Sequence, residues 1–178
     1  TEGYSLLSAL EHYKNIPYNL FVADSTWHKC REALVEEAKA NGTRVYFTKD
    51  THYSDYLNTQ EGRNLPVPHC ILETEGHDLI PELKPYERQR DVYRKETFGS
   101  NTLAYNMNVE YAMDDVGEIE LIGVCTDICV ISNALLIKAH CPEVRIKVDA
   151  SCCAGVTPEK HRAALEVMKS CQIEVVGE

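Results

Sequence analysis

The chain has 178 residues, 44% of them hydrophobic and 26% charged, with a formal net charge of −10 at pH 7. That length suits one well-buried domain rather than two, and no apolar run is long enough to span a bilayer. The acidic balance, with scattered Lys and Arg, speaks against nucleic acid and anionic membranes as partners.

The opening "TEGYSLLSALEHYK" lacks the basic, apolar and small-residue succession of a secretory signal, which points to the cytoplasm. Leu6, Leu7 and Leu10 share one face of an expected amphipathic helix within 1–17, suited to packing on the domain or on a neighbouring subunit. We take 1–178 as one domain with this atypical helix at its start.

Strand and helix patterns then alternate. "YNLFVAD" (18–24) reads as a strand, followed by the helical "STWHKCREALVEEAKANG", which closes on Gly42. "RVYFTKD" (44–50) is the next strand, and 51–76 is an irregular stretch long enough to imply a task. "RDVYRK" (90–95) and "IELIGV" (119–124) read as strands, with "TDICVISNALLIKAH" as the helix that follows. "VRIKVDA" (144–150), the helix "TPEKHRAALEVMKS" with Thr157 as N-cap and Pro158 at its first position, and "QIEVVG" (172–177) complete the pattern. Such alternation predicts a parallel sheet with helices on both faces. The eight cysteines fall mostly in apolar or helical segments, so we read them as buried thiols rather than a disulfide scaffold.

Open α/β sheets bind ligands beyond the carboxyl ends of their strands. Asp24, Asp50, Lys95 and the Cys125–Cys129 turn lie at those ends. Cys129, in the first turn of a helix, would have its pKa lowered by backbone N–H groups, the helix dipole and a nearby lysine, as a nucleophile requires. A packed cysteine at a strand-to-helix turn is the competing reading, and a CxxxC redox or metal pair with Cys125 is a weaker one. Asp50 and His52 leave their strand on the same side, and Glu61 and His69 follow. Two imidazoles and two carboxylates suit Zn²⁺ or a similar divalent ion. Loop histidines paired with loop acids would leave the same pattern, and Asp55 and Asn58 are alternative oxygen ligands. Cys152, Cys153, His12, His28, His77, His140 and His161 show no convergent partners in the sequence.

"LIGVCTDICV", "DTH" followed by "PVPHC", the lysine of "YRKETFGS" and "VDASCCAGVTPEKHRAALEVMK" resemble the isochorismatase-like cysteine hydrolase superfamily, in its nicotinamidase-related branch, from about residue 43 onward. The resemblance implies a three-layer α/β/α fold around a six-stranded, mostly parallel sheet. It implies a triad of Cys129, Lys95 and Asp24, an oxyanion hole from the N–H groups of Cys125 and Cys129, and a cis Val124–Cys125 peptide. Asp50, His52, Glu61 and His69 match the family's metal positions. The implied activity is hydrolysis of a small carboxamide such as nicotinamide to acid and ammonia through a thioester, with Asp24 as base and a homo-oligomer as the working form. Members that hydrolyse isochorismate lack the cysteine. The departures lie in the first 42 residues, where "FVADSTWHKC" offers one aspartate in place of an Asp-x-Gln-x-Asp-Phe signature, and at Pro66, where nicotinamidases often carry a tryptophan that Trp27 could replace. The rival readings are a non-enzymatic binding or scaffold descendant of the same fold and, behind it, a thiol redox protein using Cys125 and Cys129.

In "TDICV" we further expect Thr126 and Asp127 to shape the turn and cap its helix.

Overall fold

The computed structural model describes residues 35–38, 40–81, 83–113 and 117–178. The expected helix within 1–17, the expected strand 18–24, Asp24, Trp27, His12, His28 and Cys30 lie outside the described residues.

Among the described residues there are five strands, each parallel to its paired neighbours: β1 Phe47–Asp50, β2 Val92–Lys95, β3 Glu118–Val124, β4 Arg145–Ala154 and β5 Glu174–Val176. They coincide with five of the six expected from sequence. β1 pairs with β2, and β3, β4 and β5 form a second sheet in that order. Residues 35–38 are helical, and Gly42, at φ +75°, ends that segment while the Thr43 N–H reaches back 2.8 Å to the Ala38 carbonyl. This is the glycine stop read from the sequence.

The longer helices are α1 Gln60–Asn64, α2 Asn101–Met113, α3 Ile131–His140 and α4 Pro158–Ser170. Thr157 caps α4, its side chain accepting from the Lys160 N–H. Helix α2 escapes a sequence search because buried Leu103, Ala104 and Met107 are interleaved with exposed Tyr105 and Val109, which erases the one-sided stripe. Ser100 starts it, its hydroxyl accepting from the Leu103 N–H at 3.2 Å. The main core joins Leu103, Ala104 and Met107 of α2, Ala134 and Ile137 of α3, Ile146, Val148 and Ala150 of β4, and Leu165 and Met168 of α4. A smaller cluster holds Val35, Phe47, Ile80 and Leu83.

The thiol reading needs one correction. Cys70, Cys125, Cys129, Cys141, Cys153 and Cys171 are thiols, but the fully buried Cys152 is disulfide-bonded. Alternation along β4 announces that Cys152 points inward, yet a strand pattern carries no information about which distant segment meets it.

Ile146 is 1% exposed, so Ile146→Ala should lower the unfolding free energy by about 2–5 kcal/mol. Val167, 47% exposed on α4, should tolerate alanine within about 0.5 kcal/mol. Chemical denaturation of the two variants checks the assignment of inside and outside.

Candidate active site at the carboxyl ends of the strands

The register of β1 and β2 sets Asp50 directly beside Lys95 at the last paired position of both strands. Lys95 Nζ lies 3.1 Å from Asp50 Oδ1 and 3.4 Å from Cys129 Sγ. Lys95 is only 6% exposed, and a buried ammonium persists where anionic partners offset its lost hydration. Burial works against its charge, but Cys129 and Asp50 outweigh it and hold the Lys95 pKa above the ordinary lysine value. Burial likewise opposes charge on Asp50, while His69, Lys95 and His52 bring its pKa down to about 2.

Cys129 sits after β3 in a π-turn, Thr126–Val130, that leads into α3. The Cys125 carbonyl accepts from Ile128 N–H at 3.1 Å and from Val130 N–H at 3.0 Å, closing a wider ring than an α-turn. The Val124–Cys125 peptide is cis, as the resemblance implies. Two expectations about this turn are corrected. Thr126 and Asp127 do not cap the helix: Cys125 occupies the N-cap position without a side-chain bond, the Thr126 hydroxyl meets His161 Nδ1 at 2.8 Å, and Asp127 Oδ1 accepts from Val156 N–H at 2.8 Å. The Cys129 pKa is raised rather than lowered. Burial dominates, although Lys95 and the Cys125 backbone N–H both stabilise the thiolate. No disulfide joins Cys125 to Cys129.

Next to this pair, Asp50, His52, Glu61 and His69 each offer a ligand atom, all within 4.8 Å of one another. His52 Nε2 is 3.4 Å from Asp50 Oδ2 and 3.5 Å from Glu61 Oε1, and His69 Nε2 is 3.6 and 3.7 Å from the same atoms. His69 donates its Nδ1–H to the Val67 carbonyl at 2.9 Å, which turns the other ring nitrogen toward the carboxylates. His52 Nε2 is buried with no hydrogen-bond partner. An orphaned imidazole nitrogen aimed at two carboxylates is what a divalent ion bound at about 2.0–2.2 Å would satisfy, so the donor set fits a metal. Asp55 and Asn58 are exposed, and Asp55 stands outside the cluster.

The loop is built for this cluster. Thr59 caps α1 by accepting from the Gly62 N–H at 2.9 Å, which places Glu61 in the first turn. At Gly62 a Cβ would stand 2.0 Å from the Tyr56 carbonyl oxygen, so the chain folds this tightly only with glycine there. His52 pairs with Ile71 across an isolated parallel bridge, bringing the two histidine segments together.

Three polar residues not singled out from the sequence hold the segments that carry the site. Asn133, 5% exposed, donates to the Cys129 carbonyl at 2.9 Å and accepts from the Ser100 N–H at 2.8 Å. Asparagine inside an apolar helix was the available signal. His77 is buried with Nε2 2.9 Å from the Thr51 hydroxyl, between Asp50 and His52 in sequence. His161 contacts Thr126. His77 and His161 thus have partners that separation in sequence conceals.

A family model described as "Isochorismatase domain" matches residues 25–177, beginning one residue after Asp24 and well before the residue 43 expected. The "Uncharacterized isochorismatase family protein PncA" of Bacillus subtilis (strain 168) is 33% identical over 162 residues, 83% of this chain and 87% of that protein. The "Nicotinamidase/pyrazinamidase" of Mycobacterium tuberculosis is 28% identical over 147 residues, covering 74% and 75%. Among solved structures, nicotinamidase PncA from Bacillus subtilis superposes with a TM-score of 0.68 at 26% identity, over 85% of this chain and 84% of that one. The pyrazinamidase of Pyrococcus horikoshii in complex with zinc shares the fold at 22% identity, with a TM-score of 0.68 over 85% of both chains. The chain belongs to the isochorismatase family, on the branch that its nicotinamidase relatives occupy.

Proposed function

We propose that the protein is a cysteine-dependent amidohydrolase that converts a small carboxamide, nicotinamide foremost, to its acid and ammonia. The observation that carries this reading is the contact of one buried ammonium, Lys95, with both the Cys129 thiol and the Asp50 carboxylate. The amidase relatives support the substrate class.

In this mechanism Asp24 takes the thiol proton and Cys129 Sγ attacks the amide carbon. The N–H groups of Cys125 and Cys129 hold the oxyanion. Asp24 returns the proton to the leaving nitrogen, ammonia departs, and a thioester remains on Cys129. A water molecule deprotonated by the same carboxylate then attacks the thioester carbonyl, releasing the acid and restoring the thiol. Lys95 stabilises negative charge on sulfur throughout. Because burial keeps the resting thiol protonated, the reaction needs a base at the site, and Asp24 is assigned to it. Asp50, His52, Glu61 and His69 would hold the divalent ion, with zinc suited to this donor set. When bound, that ion supplies a Lewis-acidic contact for a polar substrate atom such as a ring nitrogen.

The same reading takes 1–178 as one domain acting in the cytoplasm as a homo-oligomer on a diffusible substrate, without nucleic-acid or membrane partners. Among the described residues, no helix is long and apolar enough to cross a membrane.

Ammonia release from nicotinamide and a panel of small carboxamides tests the assignment. Cys129→Ala should lower turnover by more than about 1000-fold with the fold intact. Undiminished release by that variant would overturn the nucleophile. Silence of the metal-loaded, folded wild type across the panel would favour a binding descendant of the fold.

His52→Ala and His69→Ala should each lose bound zinc in elemental analysis while keeping the wild-type circular dichroism. Retention of stoichiometric metal by both would move the ion elsewhere.

With a raised pKa, Cys129 is protonated at neutral pH and its thiolate grows as pH rises. Alkylation of Cys129 by iodoacetamide, followed by peptide mass, should therefore still be climbing at pH about 8.5, the value of an unperturbed thiol. A plateau reached below pH 7 would contradict the dominance of burial.

A further inference from the structure

We propose that His161 is a positioning residue for Cys129: by holding Thr126, it fixes the π-turn that sets the thiol against Lys95. The inference rests on the reading of Cys129 as nucleophile.

Thr126 is the first residue of that turn and is 0% exposed. A buried hydroxyl must find a partner within the protein, and His161 Nδ1, from the first half of α4, stands 2.8 Å away. The adjoining Asp127 is gripped from the same side by the Val156 N–H. Gly155 lets the two segments close on each other: a Cβ there would lie 2.8 Å from His161 Cβ and 2.9 Å from Asp127 Oδ1. The beginning of the turn is thus fastened to the segment entering α4, just as its later part is fastened by Asn133 through the Cys129 carbonyl.

Thr126 begins the turn and Asn133 holds the carbonyl of Cys129 itself, so a shift at Thr126 swings the Cys129 side chain about that held carbonyl and changes the reach from sulfur to Lys95 Nζ. His161 is faced by Asp127, Arg162 and Glu178, and burial favours its neutral form, which suits a hydrogen bond to a hydroxyl. The thiol itself is faced by Lys95 from β2, Asp50 from β1, the Cys70 thiol and the Cys125 N–H. None of these is displaced directly by a change at residue 161, which makes Cys129 a clean reporter of the turn.

The experiment reads the pH profile of Cys129 alkylation alongside amidase kinetics in the full chain. His161→Ala should move the alkylation midpoint upward by about one pH unit. It should lower kcat about tenfold, the scale of a sub-ångström misplacement, with KM within about twofold. Thr126→Val should do the same, and the double variant should be no worse than either single change. His161→Asn, which offers an amide where Nδ1 stood, should recover most of the loss, and Thr126→Ser should behave as wild type. A folded His161→Ala with the wild-type alkylation profile and kcat overturns the inference, and so does a variant that is only less stable. If Thr126→Val alone folds, its profile decides in the same way. A wild-type Cys129 that resists alkylation at every pH overturns the hydrolase reading, and this inference with it.

Discussion

The site depends on a parallel register that places unlike charges side by side where water is scarce. Asp50 and Lys95 share the last rung of β1 and β2, so the backbone ladder fixes how far apart their side chains start. The carboxylate divides its two oxygens, Oδ1 to the ammonium and Oδ2 to the imidazoles of His52 and His69. One side chain therefore borders both halves of the site. Moving it would leave a buried ammonium on one side and take one carboxylate from the candidate ligand group on the other, and uncompensated buried charge is among the most destabilising features a fold can hold.

The thiol answers to the same environment with the opposite sign. Enclosure that makes the Lys95 interaction strong also withdraws the water that would solvate a thiolate, and the second effect is the larger. The resting sulfur is therefore a protonated thiol beside a lasting cation. On our reading, it becomes a nucleophile only when a base and an electrophile arrive together.

Much of this was legible from sequence because it rests on local rules. Strand ends, the glycine stop at Gly42 and the Thr157–Pro158 start of α4 follow from period and cap chemistry, while the candidate ligand group Asp50, His52, Glu61 and His69 was suggested by donor type and by the family resemblance together. What stayed hidden involves contacts between distant segments or a balance of opposing terms. Helix α2 buries Met107 while exposing Tyr105, and no one-dimensional pattern separates those environments. The bond from Thr126 to His161 spans 35 positions, and a residue that would cap a helix in isolation prefers a tertiary partner when one is close. The sign of the Cys129 shift was missed because helix-terminus and lysine effects can be read from neighbours, whereas desolvation depends on the whole enclosure.

Asn133 joins two segments that would otherwise move separately. Its amide nitrogen holds the carbonyl of Cys129, and its amide oxygen holds the Ser100 N–H in the loop that follows Lys95. The backbone that carries the thiol and the loop that follows Lys95 are therefore tied through one amide, so a single substitution at Asn133 would release both contacts at once.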